Sequence, residues 1–379
     1  MNRKLGLTGV SILFVLATLA ACGGGGDSGG SGGSSAEAQP SDNVPHFAYV
    51  TNFDDNNVSA YSINAKTGVL TSIGAAVTTG TSPESIAVDP SGKFAYVANN
   101  SNFVSGSPLG SVSVYTIDAK TGVLTSMGAA VAAGTGARSI TVTPSGKFAY
   151  VAGSFNVSAY AIDPATGALS EVVGSPFAAG TNPSSVTVDP SGKFAYVSNQ
   201  ASNDVSAYTI NPATGALTSI GARVAAGIAY DVTADPSGKF AYVANGNSDT
   251  VSAYTINATG ALSEVPGSPF PAGALPTSIT VDLSGQFAYV ANFSSNDVSV
   301  YTINPATGAL TSIAAVAAGT GPASVTVDRS GKFAYVANSG SNNVSVYIIN
   351  ATTGALTSVG AAVATGSRPI SVTTTGTIQ

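Results

Sequence analysis

One string of four residues constrains this chain more than any other feature. Phe-Ala-Tyr-Val begins at Phe47, Phe94, Phe148, Phe194, Phe240, Phe287 and Phe333, a spacing of 46 or 47 residues with one longer step after Phe94. Self-similarity at such a period marks a repeat architecture in which each unit is one supersecondary element that cannot bury its apolar face alone. The unit around Phe194 shows the content. Ser185 to Val188 reads as a strand and runs into the turn Asp189-Pro190-Ser191-Gly192. Phe194 to Ser198 and Val205 to Ile210 follow as strands. The turn Asn211-Pro212-Ala213-Thr214-Gly215 then leads into a fourth strand, Ala216 to Ile220. Proline presets φ at the second turn position, the preceding Asp or Asn can cap the turn, and glycine supplies φ > 0. The runs between turns are too short, and Pro and Gly too frequent, for helices. Strands such as Phe-Ala-Tyr-Val-Ala are apolar on both faces, as expected of sheets stacked face to face.

The strand count separates a closed ring from an open stack. With the strands of a unit labelled A to D, and A preceding Phe-Ala-Tyr-Val, the chain starts at strand B (Phe47) and ends on a last strand A, Ile370 to Thr374. That offset is useless to an open solenoid, which would also need polar capping repeats. In a ring it lets the last strand A complete the first sheet and cover its unpaired edge. The predicted fold is all-β: a seven-bladed β-propeller of four antiparallel strands per blade, spanning residues 44–379.

Upstream of the repeats the chain has another character. Arg3 and Lys4 precede a mostly apolar stretch from Leu5 to Ala20, and Leu19-Ala20-Ala21-Cys22 follows, the layout of an export signal. The motif resembles the bacterial lipobox, which implies cleavage after residue 21 and lipid on Cys22, with Gly23 at the next position favouring the outer membrane. Residues 22–43 are Gly- and Ser-rich and read as a flexible tether spanning about 25 Å. The membrane, reached through Cys22, is thus an expected partner, and the cell envelope the expected location. Cys22 is the only cysteine, so no disulfide forms within the chain. With 13 Lys and Arg against 19 Asp and Glu, no basic stripe exists to neutralise phosphates, and nucleic acid is not an expected partner. A monomeric domain is expected.

Tyr49-Val50-Thr51-Asn52, echoed as Tyr-Val-Ala-Asn in later units, resembles the YVTN-type β-propeller repeats. The phrases from Asn304 to Leu310 and from Gly174 to Gly180 are similar to the seven-bladed lactonase family typified by 6-phosphogluconolactonase. This resemblance covers Phe47 to about Thr374. In that family strand A typically starts Gly-Pro-Arg-His, which implies an arginine and a histidine at the mouth of the central channel. Here Gly136-Ala137-Arg138-Ser139 keeps the arginine and has serine in the histidine position, and no other strand A start carries a histidine. The sole histidine, His46, opens a terminal strand and cannot supply a His-based triad or a multi-His metal site. No cofactor and no metal site is expected. Asp89, Asp189, Asp235, Asp282 and Asp328 recur at one turn position and read as turn caps. Lys93, Lys147, Lys193, Lys239 and Lys332 follow that turn as a solvated ring.

A site is sought by subtracting the consensus: what the fold demands recurs, and what differs is free for other work. At the strand A starts the residues that differ are Glu84, Arg138, Tyr230, Asp231 and Arg368, with Arg223 just upstream of one of them. The insertion from Asn100 to Gly110, carrying Phe103 and Leu109, lies on the same face. Arg368, Glu84 and Arg138 belong to blades one, two and three, and Tyr230 and Asp231 to blade five. This mixed ring of charges with one aromatic suits a small polar or anionic ligand. With histidine absent, the expectation is a binding or scaffold module for such a ligand or for a protein partner. A sugar-lactone hydrolase using Glu84, Asp231 or Arg138 is the alternative, and a purely structural surface-display protein the third reading.

Overall fold

A computed structural model of the chain describes residues 46–101 and 110–375. The export signal, Cys22 and the tether lie outside the described residues, as do Phe103 and Leu109 of the insertion. Seven antiparallel sheets follow one another, each in the order A-B-C-D. In blade four these are Pro183–Val188, Phe194–Asn199, Asp204–Ile210 and Leu217–Ser219. In blade one, strand A is Pro369–Thr374, the last strand of the chain, paired antiparallel with His46–Asn52. The ring therefore closes as the strand count requires.

The recurrent turn works through its aspartate. Asp89 accepts hydrogen bonds at Oδ1 from the amides of Lys93 (2.8 Å) and Phe94 (2.7 Å), and at Oδ2 from the amide of Ser91 (3.0 Å). Asp189, Asp235, Asp282 and Asp328 repeat the pattern. Where Thr143 replaces Asp, its hydroxyl accepts from Phe148 N, and at the closure Thr375 does the same for Phe47 N. The lysines after the turns are all exposed.

Two belts of tyrosine hydroxyls join the blades. The tyrosine of each Phe-Ala-Tyr-Val is fully buried and donates to a glycine carbonyl in the C–D turn of the next blade: Tyr49 to Gly122 at 2.8 Å, and so on round to Tyr335, which donates to Gly68 of blade one at 3.0 Å. The strand C tyrosines donate the other way, Tyr115 to Thr78 of blade one and Tyr61 back to Ala364 of blade seven. Buried hydroxyls need such partners, and here each partner lies in a neighbouring sheet. The glycines meet a second demand. A Cβ on Gly122 would lie 2.3 Å from the Phe47 ring, and Gly122 sits at φ 71°, so both space and backbone exclude other residues.

The outer strand departs from the sequence reading. In six blades strand D breaks into a three-residue and a two-residue piece, as in Leu70–Ser72 and Val77–Thr78. A positive-φ glycine sits between the pieces: Gly74, Gly128, Gly174, Gly221, Gly267 and Gly360. Blade six lacks that glycine, and its strand runs unbroken from Leu310 to Ala317. One glycine thus decides whether the outer edge is continuous.

Candidate functional site

The inner strands surround a channel, and three tiers of side chains line its loop-side half. The deepest tier is one position per blade: Ser371, Ser85, Ser139, Ser185, Asp231, Ser278 and Ser324, in blade order. The hydroxyls stitch the blades together. Ser371 Oγ accepts from Ile86 N, Ser85 Oγ from Ile140 N, Ser139 Oγ from Val186 N, Ser278 Oγ from Val325 N and Ser324 Oγ from Val372 N, at 3.2–3.4 Å. Asp231 does the same work with a carboxylate: Oδ2 accepts from Ile279 N at 2.9 Å, and Oδ1 from Ser185 Oγ at 2.7 Å. Burial raises its pKa, and the Ile279 and Ser185 hydrogen bonds pull it back. Both of its oxygens are engaged in holding blades four to six together.

The next tier holds Ile370, Glu84, Arg138, Ser184, Tyr230, Thr277 and Ala323. Glu84 and Arg138 start neighbouring inner strands, yet they do not close into an ion pair; the ion pairs among the described residues are Arg223–Asp204 and Arg368–Asp54. Glu84 instead accepts at Oε1 from Asn100 Nδ2 (2.8 Å), and Oε2 carries no hydrogen bond among the described residues. Burial pushes its carboxyl above the ordinary range; the Arg138 charge, the Asn100 hydrogen bond and the Arg368 charge oppose this without cancelling it. Arg138 donates from Nη1 to Gln200 Oε1 at 3.1 Å, and Gln200 is itself held by Asn182 Nδ2 at 2.8 Å. An acid with an open oxygen and a braced guanidinium thus stand within electrostatic reach of each other.

Arg368 lies higher, at the rim. It occupies φ 55° in a slot that Gly136 (φ 68°) and Gly321 (φ 63°) fill in other blades, a costly conformation for a side chain this large. Its guanidinium sits 4.5 Å from the centre of the Phe53 ring and 3.5 Å from Asp54 Oδ1, and half its side chain is exposed. Arg223 pairs with Asp204 at 3.3 Å and does not line the channel.

Glu84, Arg138, Tyr230, Asp231 and Arg368 all line one cavity of about 460 Å³, to which every blade contributes. Consensus subtraction at strand A therefore finds the right wall. It misses two groups. The serine tier is consensus, so it does not stand out as a departure. Gln200, Phe293 and Ser339 belong to a slot just after strand B that reads Phe53, Asn100, Ser154, Gln200, Gly246, Phe293 and Ser339. Its variability is the signal that would have exposed it. Among the described residues, no group of three or more His, Cys, Asp or Glu side chains converges on a common metal position.

Comparison with known proteins adds the family. The model of the lactonase, seven-bladed β-propeller family matches residues 35–131, 109–274 and 261–373. No curated protein matches the chain in sequence. Among solved structures, a periplasmic gluconolactonase from Pseudomonas aeruginosa superposes with a TM-score of 0.76 at 18% identity, covering 88% of this chain and 99% of that one. A putative 6-phosphogluconolactonase from Bacteroides uniformis gives 0.75 at 17% identity, covering 87% and 99%. A hydrazine synthase chain from Kuenenia stuttgartiensis gives 0.59 at 22%, covering 79% and 94%. At these identities the structural likenesses establish the fold alone. The family match overturns the expectation of a binding or scaffold module, which rested on the missing histidine. A missing histidine does not remove acid–base chemistry from the cavity, because burial gives Glu84 a raised pKa beside a braced arginine. The chain belongs to the lactonase family of seven-bladed β-propellers.

Proposed function

We propose that this protein hydrolyses sugar lactones, with Glu84 as the general base and Arg138 as the stabiliser of the oxyanion. The observation that carries the proposal is the state of Glu84: desolvated, raised in pKa, lining the cavity with no hydrogen bond to Oε2 among the described residues, and with Arg138 nearby. A carboxylate shifted toward neutral pH is a stronger base than a solvated one while still ionising. In the proposed step Glu84 takes a proton from water as the water oxygen bonds to the lactone carbonyl carbon. The carbonyl π pair moves onto oxygen, where Arg138 meets the developing charge. Collapse breaks the bond to the ring oxygen, which leaves with the proton that Glu84 returns. Water and lactone become one hydroxy acid, and Glu84 is regenerated. Gln200 and Asn182 hold the arginine so that little reorganisation is needed.

Turnover of a panel of aldonolactones, phosphorylated and unphosphorylated, corrected for spontaneous hydrolysis, tests this reading. No turnover above background across the panel would sink it. The pH dependence gives a sharper check. Because the base must be deprotonated and its pKa is raised, kcat/KM should climb with pH through an acid limb above the 4.5 of a free glutamate. Arg138→Ala removes the positive charge that lowers the Glu84 pKa, so the limb should move to higher pH while the rate falls about 10²-fold. An unmoved limb would separate Arg138 from Glu84.

Asp231 is assigned the other role, that of a blade tie. Asp231→Ser restores the residue that the other six blades use, and its hydroxyl can accept from Ile279 N as Ser278 Oγ does from Val325 N. The variant should melt no lower than the parent and lose less than tenfold in turnover, against the roughly 10²-fold or more expected for loss of a general base. A larger loss in a well-folded variant would transfer the base to Asp231.

A further inference from the structure

The chemistry above draws on blades two and three. The opposite wall of the same cavity has a different character: Tyr230 of blade five and Phe293 of blade six, with Phe293 38% exposed. Tyr230 is seated where Gly246 has no side chain. A Cβ on Gly246 would lie 2.3 Å from Tyr230 Cε2 and 2.6 Å from Cδ2, so the ring rests directly on the Gly246 backbone. Gly246 is not among the glycines with positive φ. Its conformation is open to other residues, and the same slot carries Phe53, Gln200 and Phe293 in other blades. The space taken by the tyrosine ring is therefore what calls for glycine. Phe293 is seated similarly, with its Cε2 3.2 Å from where a Gly321 Cβ would be.

We infer that Tyr230, positioned by Gly246, is a stacking platform for the C–H face of a sugar ring, and that it selects cyclic substrates over open-chain esters of the same acid. Three features support this. The ring is braced along its Cδ2–Cε2 edge by the Gly246 backbone, so a ligand meets a prepared surface rather than one that must be ordered on binding. Aromatic faces are electron-rich and pair with the positively polarised hydrogens of an adjoining group. The charged wall lies across the cavity, so a ring resting on Tyr230 can turn its carbonyl toward Arg138 and Glu84. An acyclic ester of the same hydroxy acid offers no flat face to the tyrosine. The inference rests on the lactonase reading for the reaction but concerns ring binding, which can be measured without turnover.

The test has two arms on the full chain. Calorimetric titration with D-glucono-1,5-lactam, a stable ring analogue, measures the platform alone. Hydrolysis of D-glucono-1,5-lactone against methyl D-gluconate measures its effect on selection. Tyr230→Ala should weaken lactam binding and raise KM for the lactone about tenfold with kcat little changed. Tyr230→Phe should match the wild type, since the face and not the hydroxyl is used. Gly246→Ala should displace the ring and shift KM in the direction of Tyr230→Ala, with melting temperature confirming that each variant folds. Lactam binding in the wild type without lactone turnover would keep the platform and remove the hydrolase reading. Wild-type affinity in Tyr230→Ala, equal losses in Tyr230→Phe and Tyr230→Ala, or no binding of millimolar lactam by the wild type would each overturn the platform.

Discussion

Replacing Glu84 with glutamine is expected to lower kcat for lactone hydrolysis by about 10²–10⁴-fold, the usual contribution of a positioned general base. Glutamine keeps the shape and can still accept from Asn100 Nδ2, but it cannot take a proton from water. The fold should not suffer. A carboxylate whose pKa is raised by burial is a group that folding penalises when ionised. The sign follows from that shift: the folded state holds the Glu84 proton more tightly than the unfolded chain. The site therefore favours folding at low pH, and that advantage is lost as pH rises through the raised pKa. At neutral pH the glutamine variant should melt at or above the wild-type temperature, and the difference should vanish in acid. Loss of activity together with a lower melting temperature at neutral pH would instead assign Glu84 a structural task. Such an exchange of stability for activity is common where a site needs a group its surroundings disfavour.

Ending the chain after Ser367 is expected to abolish stable folding. The lost segment is strand A of blade one. It pairs with His46–Asn52, places Val372 in the core, and supplies the Thr375 hydroxyl that caps Phe47 N at 2.9 Å. It also serves both neighbours, since Ser371 Oγ accepts from Ile86 N of blade two and Val372 N donates to Ser324 Oγ of blade seven. Each such hydrogen bond contributes about 1 kcal/mol net and a buried valine about 1.5–3 kcal/mol, so the total reaches several kcal/mol against a domain stability of about 5–15 kcal/mol. Strand B of blade one, buried from Phe47 to Asn52, would be left with an open inner edge, which favours association between chains. Thermal melts and light scattering should show loss of the cooperative transition or aggregation. A truncated chain that melts like the parent would mean that the ring does not depend on its closure.

The architecture was legible because its causes are local and repeated. Asp-Pro-Ser-Gly forms its turn from contacts within six residues, the short apolar runs between turns mark strands buried on both faces, and seven copies multiply a signal that one copy would leave ambiguous. The offset between a chain that starts on strand B and one that ends on strand A carried the closure. The same repetition made Glu84, Arg138, Tyr230, Asp231 and Arg368 visible as departures, and all five line the cavity. The broken outer strand escaped the reading because a single glycine, present in six blades and missing from blade six, redirects an otherwise strand-like run.

Only the tertiary structure could decide what the departures do. Glu84 and Arg138 are 54 residues apart in sequence and stand on adjacent strands without closing into an ion pair; Asn100 and Gln200 are their hydrogen-bond partners. Arg368 is drawn to Asp54 and the Phe53 ring at the rim, leaving Arg138 as the braced cation lower down. Asp231 spends both oxygens on the blade ring, while among the described residues Glu84 has only Oε1 hydrogen-bonded. The difference has a physical origin. Turn and strand preferences act over a few residues and are written into the chain, whereas the charge state of a carboxyl depends on the water removed around it and on the distance to charges from other blades. Those quantities come into being when the ring closes.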